Sequence, residues 1–222
     1  MLCLAGTAWA VTFGGTQGDD FLVGSTGRDV ISGYGGDDTI FGRTGDDVID
    51  AGPGADMVNG DGTCPIGSSS PQYCLDSETV GDNDTIYGRA GDDNAQGGRG
   101  DDLLDGGPGD DLLYGERGAD YLIGGSGDDR LSGGLGNDRL SGSSGDDRLS
   151  GGVGNDRLDG SSGDDQIIGG SGTDRISGGS GNDVISARDG RRDRVACGPG
   201  NDRVTADKHD SVSKDCEHVK RR

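Results

Sequence analysis

The sequence predicts an all-β repeat protein built from tight glycine turns and very short strands. Its central part, residues 124–186, repeats one nine-residue unit almost without change, as in GGSGDDRLS from Gly124 and GGLGNDRLS from Gly133. Glycine holds positions 1 and 4 of this unit, aspartate holds position 6, and Leu or Ile holds position 8. A helix is excluded because each glycine in a helix interior costs about 1 kcal/mol relative to alanine, and because an apolar residue at every ninth position fits no helical period.

Each unit divides into a turn and a strand. Glycine allows the positive φ and the close backbone approach that a tight turn over positions 1 to 6 needs. Positions 7 to 9 alternate polar, apolar and polar, as in Arg130-Leu131-Ser132, so that only the side chain at position 8 points inward. We therefore expect a core that receives one side chain from each unit.

The composition indicates that apolar burial alone does not hold these units together. Apolar residues make up 28% of the 222 residues, well below the roughly 45–50% of globular proteins, and the formal net charge is −21. Such values are typical of disordered chains, which have no reason to keep a nine-residue register. The turns offer carboxylates beside backbone carbonyls, the hard oxygen ligands that calcium prefers. We expect bound cations to supply the missing free energy of folding, and a chain this acidic is not expected to bind nucleic acid.

The unit resembles GGxGxDxUx, the nonapeptide of the repeats-in-toxin (RTX) calcium-binding proteins, and the resemblance covers nearly the whole chain. It implies a parallel β-roll, a form of β-solenoid, in which two nonapeptides make one turn. It also implies multiple Ca²⁺ ions between successive turns, held by the position-6 aspartates and by carbonyls of the glycine turns. Asp129 would then face Asp147 and Asp165 on one side of the roll, while Asp138 would face Asp156 on the other.

The candidate metal ligands are therefore the aspartates at position 6 of each unit. An ion between each same-side pair of turns would give roughly a dozen calcium sites, whose charge would offset the formal −21. The full set is Asp20, Asp29, Asp38, Asp47, Asp56, Asp84, Asp93, Asp102, Asp111, Asp120, Asp129, Asp138, Asp147, Asp156, Asp165, Asp174, Asp183 and Asp202.

The first residues of the chain precede the repeats. Residues 1–10 are apolar and end in Ala8-Trp9-Ala10, which fits the cleavage rule of a secretory signal. Because the apolar run is short and no basic residue precedes it, we expect a truncated signal, with an apolar N-terminal strand as the alternative. A first block of the roll follows over residues 11–60, where Phe13 at an inward position would cover the open end.

An insertion interrupts the roll over residues 61–81, which carry Cys64 and Cys74. We expect a surface loop closed by a Cys64–Cys74 disulfide, either a binding loop or a stapled excursion from the roll. The main block resumes over residues 82–187 with its phase moved by one residue, which leaves calcium pairing across the insertion open. Its unit at Asp93 places only Ala95 inside and is predicted to be the weakest.

The C-terminal segment, residues 188–222, is basic and irregular, and we expect it to cap the roll. It resembles the cysteine-closed ending of many secreted bacterial RTX proteins, which implies a Cys197–Cys216 disulfide. A zinc site is the alternative use of these cysteines, although the sequence has no C-x-x-C pair. Cysteines in two local pairs suit an oxidising compartment, so we expect a secreted, extracellular protein.

Arginines recur at position 7 of the central units and should point outward, with same-side neighbours about 4.8 Å apart. This basic row either binds an anionic polymer or surface, or forms a solvated face that discourages aggregation. The arginines are Arg130, Arg139, Arg148, Arg157 and Arg175.

No catalytic motif accompanies the repeats. The two histidines, His209 and His218, lie in the C-terminal segment, and neither HExxH nor GxSxG occurs. We expect a non-enzymatic calcium-binding monomer without a membrane span, in an extracellular structural or surface-attachment role. An extracellular glycan or cell-surface component is a candidate partner. The alternative is a calcium-binding accessory module of a larger secreted enzyme or adhesin.

Overall fold

Strands alternate between two sheets along the chain. The computed structural model describes residues 2–3, 11–60 and 82–221. Within these ranges the odd-numbered strands form one sheet of twelve and the even-numbered strands form a second sheet of eleven. We call them the odd sheet and the even sheet.

The strands of both sheets are short, at most six residues each. The odd sheet contains β1 (Leu2–Cys3), β3 (Phe21–Val23), β5 (Thr39–Phe41), β7 (Met57–Asn59), β9 (Asn94–Arg99), β11 (Leu112–Arg117), β13 (Arg130–Leu135), β15 (Arg148–Val153), β17 (Gln166–Ser171), β19 (Val184–Ala187), β21 (Arg203–Ala206) and β23 (His218–Arg221). The even sheet contains β2 (Thr12–Gly14), β4 (Val30–Ser32), β6 (Val48–Pro53), β8 (Thr85–Ala90), β10 (Leu103–Pro108), β12 (Tyr121–Ser126), β14 (Arg139–Ser144), β16 (Arg157–Ser162), β18 (Arg175–Ser180), β20 (Arg194–Ala196) and β22 (Ser211–Val212).

Neighbouring strands of each sheet are parallel and lie one full turn apart in the sequence. Leu131 of β13 faces Leu149 of β15, and Leu140 of β14 faces Leu158 of β16. This register, one turn for every two nonapeptides, confirms the predicted parallel β-roll.

The core lies between the two sheets and is built from the position-8 side chains. Leu122, Leu149 and Ile167 are among its fully buried members, and Ala95 occupies the same inward position in its unit. Phe13 and Val212 are partly buried and pack against this core. Phe13 therefore lies inward near the N-terminal end of the roll, as the sequence predicts.

The roll continues without a break across the insertion. Ile49 of β6 faces Ile86 of β8, and Val58 of β7 faces Ala95 of β9. The change of phase therefore leaves the stacking of the turns intact. Residues 61–81, with the predicted Cys64–Cys74 disulfide, lie outside the described residues.

The C-terminal segment continues both sheets and is closed by a disulfide. Cys197 and Cys216 are bonded, with their Cα atoms 5.2 Å apart, which confirms the predicted pair. At the other end of the chain, Leu2–Cys3 pairs with β3, and the assignment of residues 1–10 to a secretion signal stays a prediction. No helix in the described residues is long and apolar enough to cross a membrane.

Candidate metal centre

The position-6 aspartates form two rows along the edges of the roll. We call the edge where even strands lead into odd strands the even-to-odd edge, and the other the odd-to-even edge. The even-to-odd row is Asp20, Asp38, Asp56, Asp93, Asp111, Asp129, Asp147, Asp165, Asp183 and Asp202. The odd-to-even row begins with Asp29, Asp47, Asp84, Asp102, Asp120, Asp138, Asp156 and Asp174.

A repeated hydrogen bond holds each row together. The backbone N–H of Asp129 donates to Oδ1 of Asp147 over 2.8 Å, and the N–H of Asp147 donates to Oδ1 of Asp165 over 2.9 Å. The same bond links Asp56 to Asp93 across the insertion, at 2.7 Å. One oxygen of each carboxylate thus holds the neighbouring turn in place. The aspartates on the two sides of residues 61–81 are linked in the same way, so the row of aspartates is continuous across the insertion.

The second carboxylate oxygen is the unusual feature of these rows. Asp129, Asp147 and Asp165 are fully buried, and their Oδ2 atoms accept no hydrogen bond from any described residue. A buried carboxylate oxygen without a partner is costly, so these atoms are suited to bind a cation. The same holds for Oδ2 of Asp38, Asp56, Asp93, Asp111, Asp120, Asp138, Asp156, Asp174, Asp183, Asp193 and Asp202.

Glycine at position 1 leaves room beside most of these oxygens. A Cβ placed on Gly124 would collide with Oδ2 of Asp129 and would lie 2.8 Å from the carbonyl oxygen of Gly142 in the next turn. On the other edge, a Cβ on Gly133 would meet Oδ2 of Asp138 and the carbonyl oxygen of Gly151, the latter at 2.7 Å. Both of these spaces are therefore bordered by a carboxylate oxygen of one turn and a carbonyl oxygen of the next, a donor set that suits calcium.

Side chains alone do not complete such a site. Within residues 2–3, 11–60 and 82–221, no three His, Cys, Asp or Glu residues group as a metal-binding cluster. A cation between the turns would therefore draw on carbonyl oxygens such as that of Gly142 as well as on aspartate, as calcium sites commonly do.

Burial raises the pKa of the central aspartates. The pKa of Asp129, Asp147 and Asp165 rises from 3.8 to about 7, first because burial disfavours the charged form and then because neighbouring aspartates repel it. On the odd-to-even edge, burial is again the first cause and raises the pKa of Asp156 and Asp174 to about 6. These carboxylates gain most from a cation that offsets their charge.

Two N-terminal candidates differ from the central ones. Oδ2 of Asp20 accepts a hydrogen bond from the backbone N–H of Thr16, and Oδ2 of Asp29 accepts one from the N–H of Ser25, both over 2.5 Å. The Ser25 hydroxyl also donates to Oδ1 of Asp29 over 2.9 Å. The structure therefore places Asp20 and Asp29 in the rows, but the second oxygen of each is already hydrogen-bonded.

The rows extend further into the C-terminal segment than the predicted set does. Asp193 and Asp210 are buried, and their Oδ1 atoms accept the N–H groups of Asp174 and Asp193 over 2.8 and 3.0 Å. Glu217 accepts the N–H of Asp202 over 2.9 Å. The sequence signal for Asp193 was an aspartate that again directly precedes a polar and then an apolar residue, in a unit that is one residue longer than the central ones. Glu217 does not belong to such a unit, so the sequence carries no signal for it.

A second ladder, formed by position 5, was missed by the sequence analysis. On the even-to-odd edge the exposed side chain of Asp128 accepts the N–H of Asp146 over 2.9 Å, and Asp146 accepts that of Asp164 over 2.8 Å. On the odd-to-even edge Asn137 makes the equivalent contact, since its Oδ1 accepts a hydrogen bond from the N–H of Asn155 over 2.8 Å. The recurrence of Asp or Asn directly before the position-6 aspartate was the available signal.

Comparison with known families agrees with this geometry. The family model described as RTX calcium-binding nonapeptide repeat matches in overlapping stretches that together cover residues 14–62 and 79–204. A search of curated proteins gave no match. The matched stretches contain both rows of buried aspartates and the glycine turns that border them. The chain belongs to the RTX calcium-binding nonapeptide-repeat family.

Proposed function

We propose that this chain is a secreted protein that binds several calcium ions between the turns of its β-roll and folds as it binds them. The observation that carries the proposal is the pair of rows of buried carboxylate oxygens that accept no hydrogen bond within the described ranges, as at Asp129, Asp147 and Asp165. These oxygens lie beside carbonyl oxygens of the following turn. Hard oxygen donors from flexible turns are typical calcium ligands.

The proposed ligands are the position-6 aspartates whose second carboxylate oxygen lacks a hydrogen bond, each acting between two neighbouring turns. The hydrogen bonds from Asp129 to Asp147 and from Asp147 to Asp165 hold the carboxylates of successive turns together. Bound calcium would supply positive charge at the oxygens that lack a partner. A residue in the middle of a row, such as Asp147, would then serve an ion on each of its two sides.

Coupling between binding and folding follows from the charges. The rows stack buried like charges, the formal net charge is −21, and a unit contributes at most one large apolar side chain from position 8 to the core. Without cations the folded state concentrates carboxylates that the unfolded chain keeps apart and hydrated. Cation binding then becomes part of the free energy of folding.

The proposed role is structural or adhesive and outside the cell, rather than catalytic. The buried aspartates already have a task in the turns, where Oδ1 accepts a backbone N–H in each row. The Cys197–Cys216 disulfide fits an oxidising compartment. We propose that the calcium-loaded roll acts as a rigid extracellular element.

The test is a calcium titration of the full chain after treatment with chelator, followed by circular dichroism. We expect little strand signal in chelator and a cooperative gain of strand at submillimolar to millimolar calcium, roughly the 10⁻⁴–10⁻³ M range of extracellular modules. Magnesium is the matched control, and we expect it to fail because it requires a smaller octahedral site. A chain with the same strand signal in chelator and in calcium would contradict the proposal.

A further inference from the structure

The outer face of the even sheet carries an uninterrupted row of arginines, which we call the Arg row. Arg139, Arg157, Arg175 and Arg194 face one another in pairs at the starts of β14, β16, β18 and β20. All four are exposed, and the structure gives them no ion pair or hydrogen bond with another described residue. At the strand spacing of about 4.8 Å, the row is roughly 14 Å long.

This row is specific to one sheet. On the odd sheet the corresponding positions hold Arg130 and Arg148, followed by Gln166 and Val184. Like charges directly opposite each other on neighbouring strands are unfavourable. Four arginines in succession on one face form a concentrated positive strip on an otherwise acidic chain. Because their mutual repulsion is unfavourable, an anionic partner would stabilise this strip.

A complementary strip lies on the even-to-odd edge, and we call it the Asp row. It consists of the exposed position-5 residues Asp92, Asp110, Asp128, Asp146 and Asp164. In each, Oδ1 accepts the backbone N–H of the next turn, which holds the carboxylate in a fixed position. On the odd-to-even edge the corresponding strip is interrupted, because Asp101 at position 5 is followed by Ala119, Asn137, Asn155 and Thr173.

The two rows cannot pair within one chain. Arg157 begins β16, whereas Asp164 lies in the turn after β16 ends. Seven residues separate them, roughly 20 Å along an extended strand. Their charges can meet only if a second molecule supplies one of the rows.

We propose that the Arg row of one copy docks on the Asp row of a second copy of this chain. Both rows repeat once per turn of the same roll, so that each guanidinium meets a carboxylate over every turn that overlaps. The forked guanidinium suits such carboxylates, and their fixed orientation lowers the entropy cost that weakens ordinary surface ion pairs. The inference rests on the proposed function, because calcium would hold the turns in register and offset the overall negative charge.

The contact joins two different surfaces and therefore leaves a free Arg row at one end of the pair and a free Asp row at the other. Such head-to-tail contacts produce open assemblies when the rotation does not close. The rolls would associate side by side, which departs from the monomer expected from the sequence.

The test is a charge-reversal exchange, read by sedimentation velocity of the full chain in calcium at low ionic strength. One variant carries Arg157→Glu and Arg175→Glu, and the other carries Asp128→Lys and Asp146→Lys. Each alone should associate at least about tenfold more weakly than the natural chain, since two pairs change from attraction to repulsion. An equimolar mixture should recover association, because the reversed rows complement each other. Added salt should weaken association of the natural chain.

The matched control carries Arg130→Glu and Arg148→Glu, the same charge change at the same position of the unit on the odd sheet. It should associate as the natural chain does. Lysine at position 5 is compatible with the turn, because Arg28 and Ala119 already occupy this position. Asp128→Asn with Asp146→Asn gives a second version of the Asp-row variant that keeps the acceptor oxygen, as Asn137 does, and it should also weaken association.

Several results would overturn the inference. They are a natural chain that stays monomeric at all concentrations, a control variant that loses association as strongly as the Arg-row variant, and a mixture that does not recover. If the chain stays monomeric and its Arg row binds polygalacturonate, the partner of the Arg row is an acidic polymer and not a second copy of this chain. Circular dichroism of the same samples reports the proposed function separately, because a failure to gain strand in calcium is distinct from a failure to associate.

Discussion

The N-terminal turns and the central turns use the same nine-residue unit but leave their aspartates in different states. At Asp29 the backbone N–H of Ser25 donates to Oδ2 over 2.5 Å, and at Asp20 the N–H of Thr16 does the same. At Asp129 and Asp147 no group in the described part of the chain donates to Oδ2. An aspartate at position 6 is therefore not sufficient for an open carboxylate oxygen.

Position 2 of the unit accounts for this difference. In the central turns Gly125, Ser143 and Ser161 have positive φ, at 123°, 80° and 76°, and their N–H groups are not bonded to the carboxylate. Thr16 and Ser25 do not have positive φ, and their N–H groups point at the carboxylate instead. In these turns, a positive φ at position 2 thus accompanies an aspartate whose second oxygen remains open to a cation.

The largest expected effect is at the centre of a row. Asp147→Ala removes a proposed ligand from the ions on both sides and leaves the buried N–H of Asp129 without its acceptor. We expect calcium stoichiometry to fall by about two and stability in calcium to fall by several kcal/mol. Equilibrium dialysis and thermal unfolding measure the two quantities.

The paired variant is Asp29→Ala in the N-terminal turns. Because Oδ2 of Asp29 already accepts a hydrogen bond, we expect calcium stoichiometry to stay unchanged within error. Equal losses of calcium in Asp29→Ala and Asp147→Ala would break the distinction between the two regions.

The C-terminal turns rely on a covalent bond as well as on aspartates. Position 1 there holds Ala187 and Cys197 in place of glycine, and both side chains are buried. We expect Cys216→Ser to lower the stability of the calcium-loaded chain by roughly 2–4 kcal/mol without changing calcium stoichiometry. Stoichiometry that falls with the disulfide would mean that this bond supports binding in the central turns.

Acid should favour the metal-free roll. The folded-state pKa of Asp129, Asp147 and Asp165 is raised from 3.8 to about 7, so between about pH 4 and pH 7 the folded chain binds more protons than the unfolded chain. Stability in chelator therefore rises as pH falls through this window. We expect more strand signal in chelator at pH 5 than at pH 8.

A variant in which two neighbouring carboxylates become neutral amides tests this prediction further. Asp128 and Asp146 contribute repulsion to the raised pKa of Asp147. Asp128→Asn with Asp146→Asn should reduce the pH dependence while keeping an acceptor at position 5. A strand signal in chelator that falls on acidification would contradict the assigned direction of the pKa shifts.

The smallest expected effect is a gain at one N-terminal turn. Ser25→Gly removes the hydroxyl that donates to Asp29 and permits positive φ at position 2. We expect calcium stoichiometry to rise by about one, measured by equilibrium dialysis beside the natural chain. No change would mean that the turn keeps its backbone conformation for a reason other than Ser25.

The sequence predicts the roll well because position 8 and the glycines determine register locally. Leu131 and Leu149 face each other where the period of two nonapeptides places them. The continuous stacking from Asp56 to Asp93 could not be predicted, because strand pairing across an insertion depends on tertiary packing. The hydrogen bonds from Thr16 and Ser25 also escaped prediction, since a serine at position 2 takes either backbone conformation, as Ser143 demonstrates.

The central claim is that calcium lies between turns, at the carboxylate oxygens that accept no hydrogen bond. Crystals grown in calcium, measured for anomalous scattering, test it directly. The account predicts peaks between successive aspartates of both rows, including those between Asp129, Asp147 and Asp165, and none at Oδ2 of Asp20 or Asp29. Peaks confined to the exposed Asp128 and Asp146 side chains, or no ordered peak between the central turns, would contradict it.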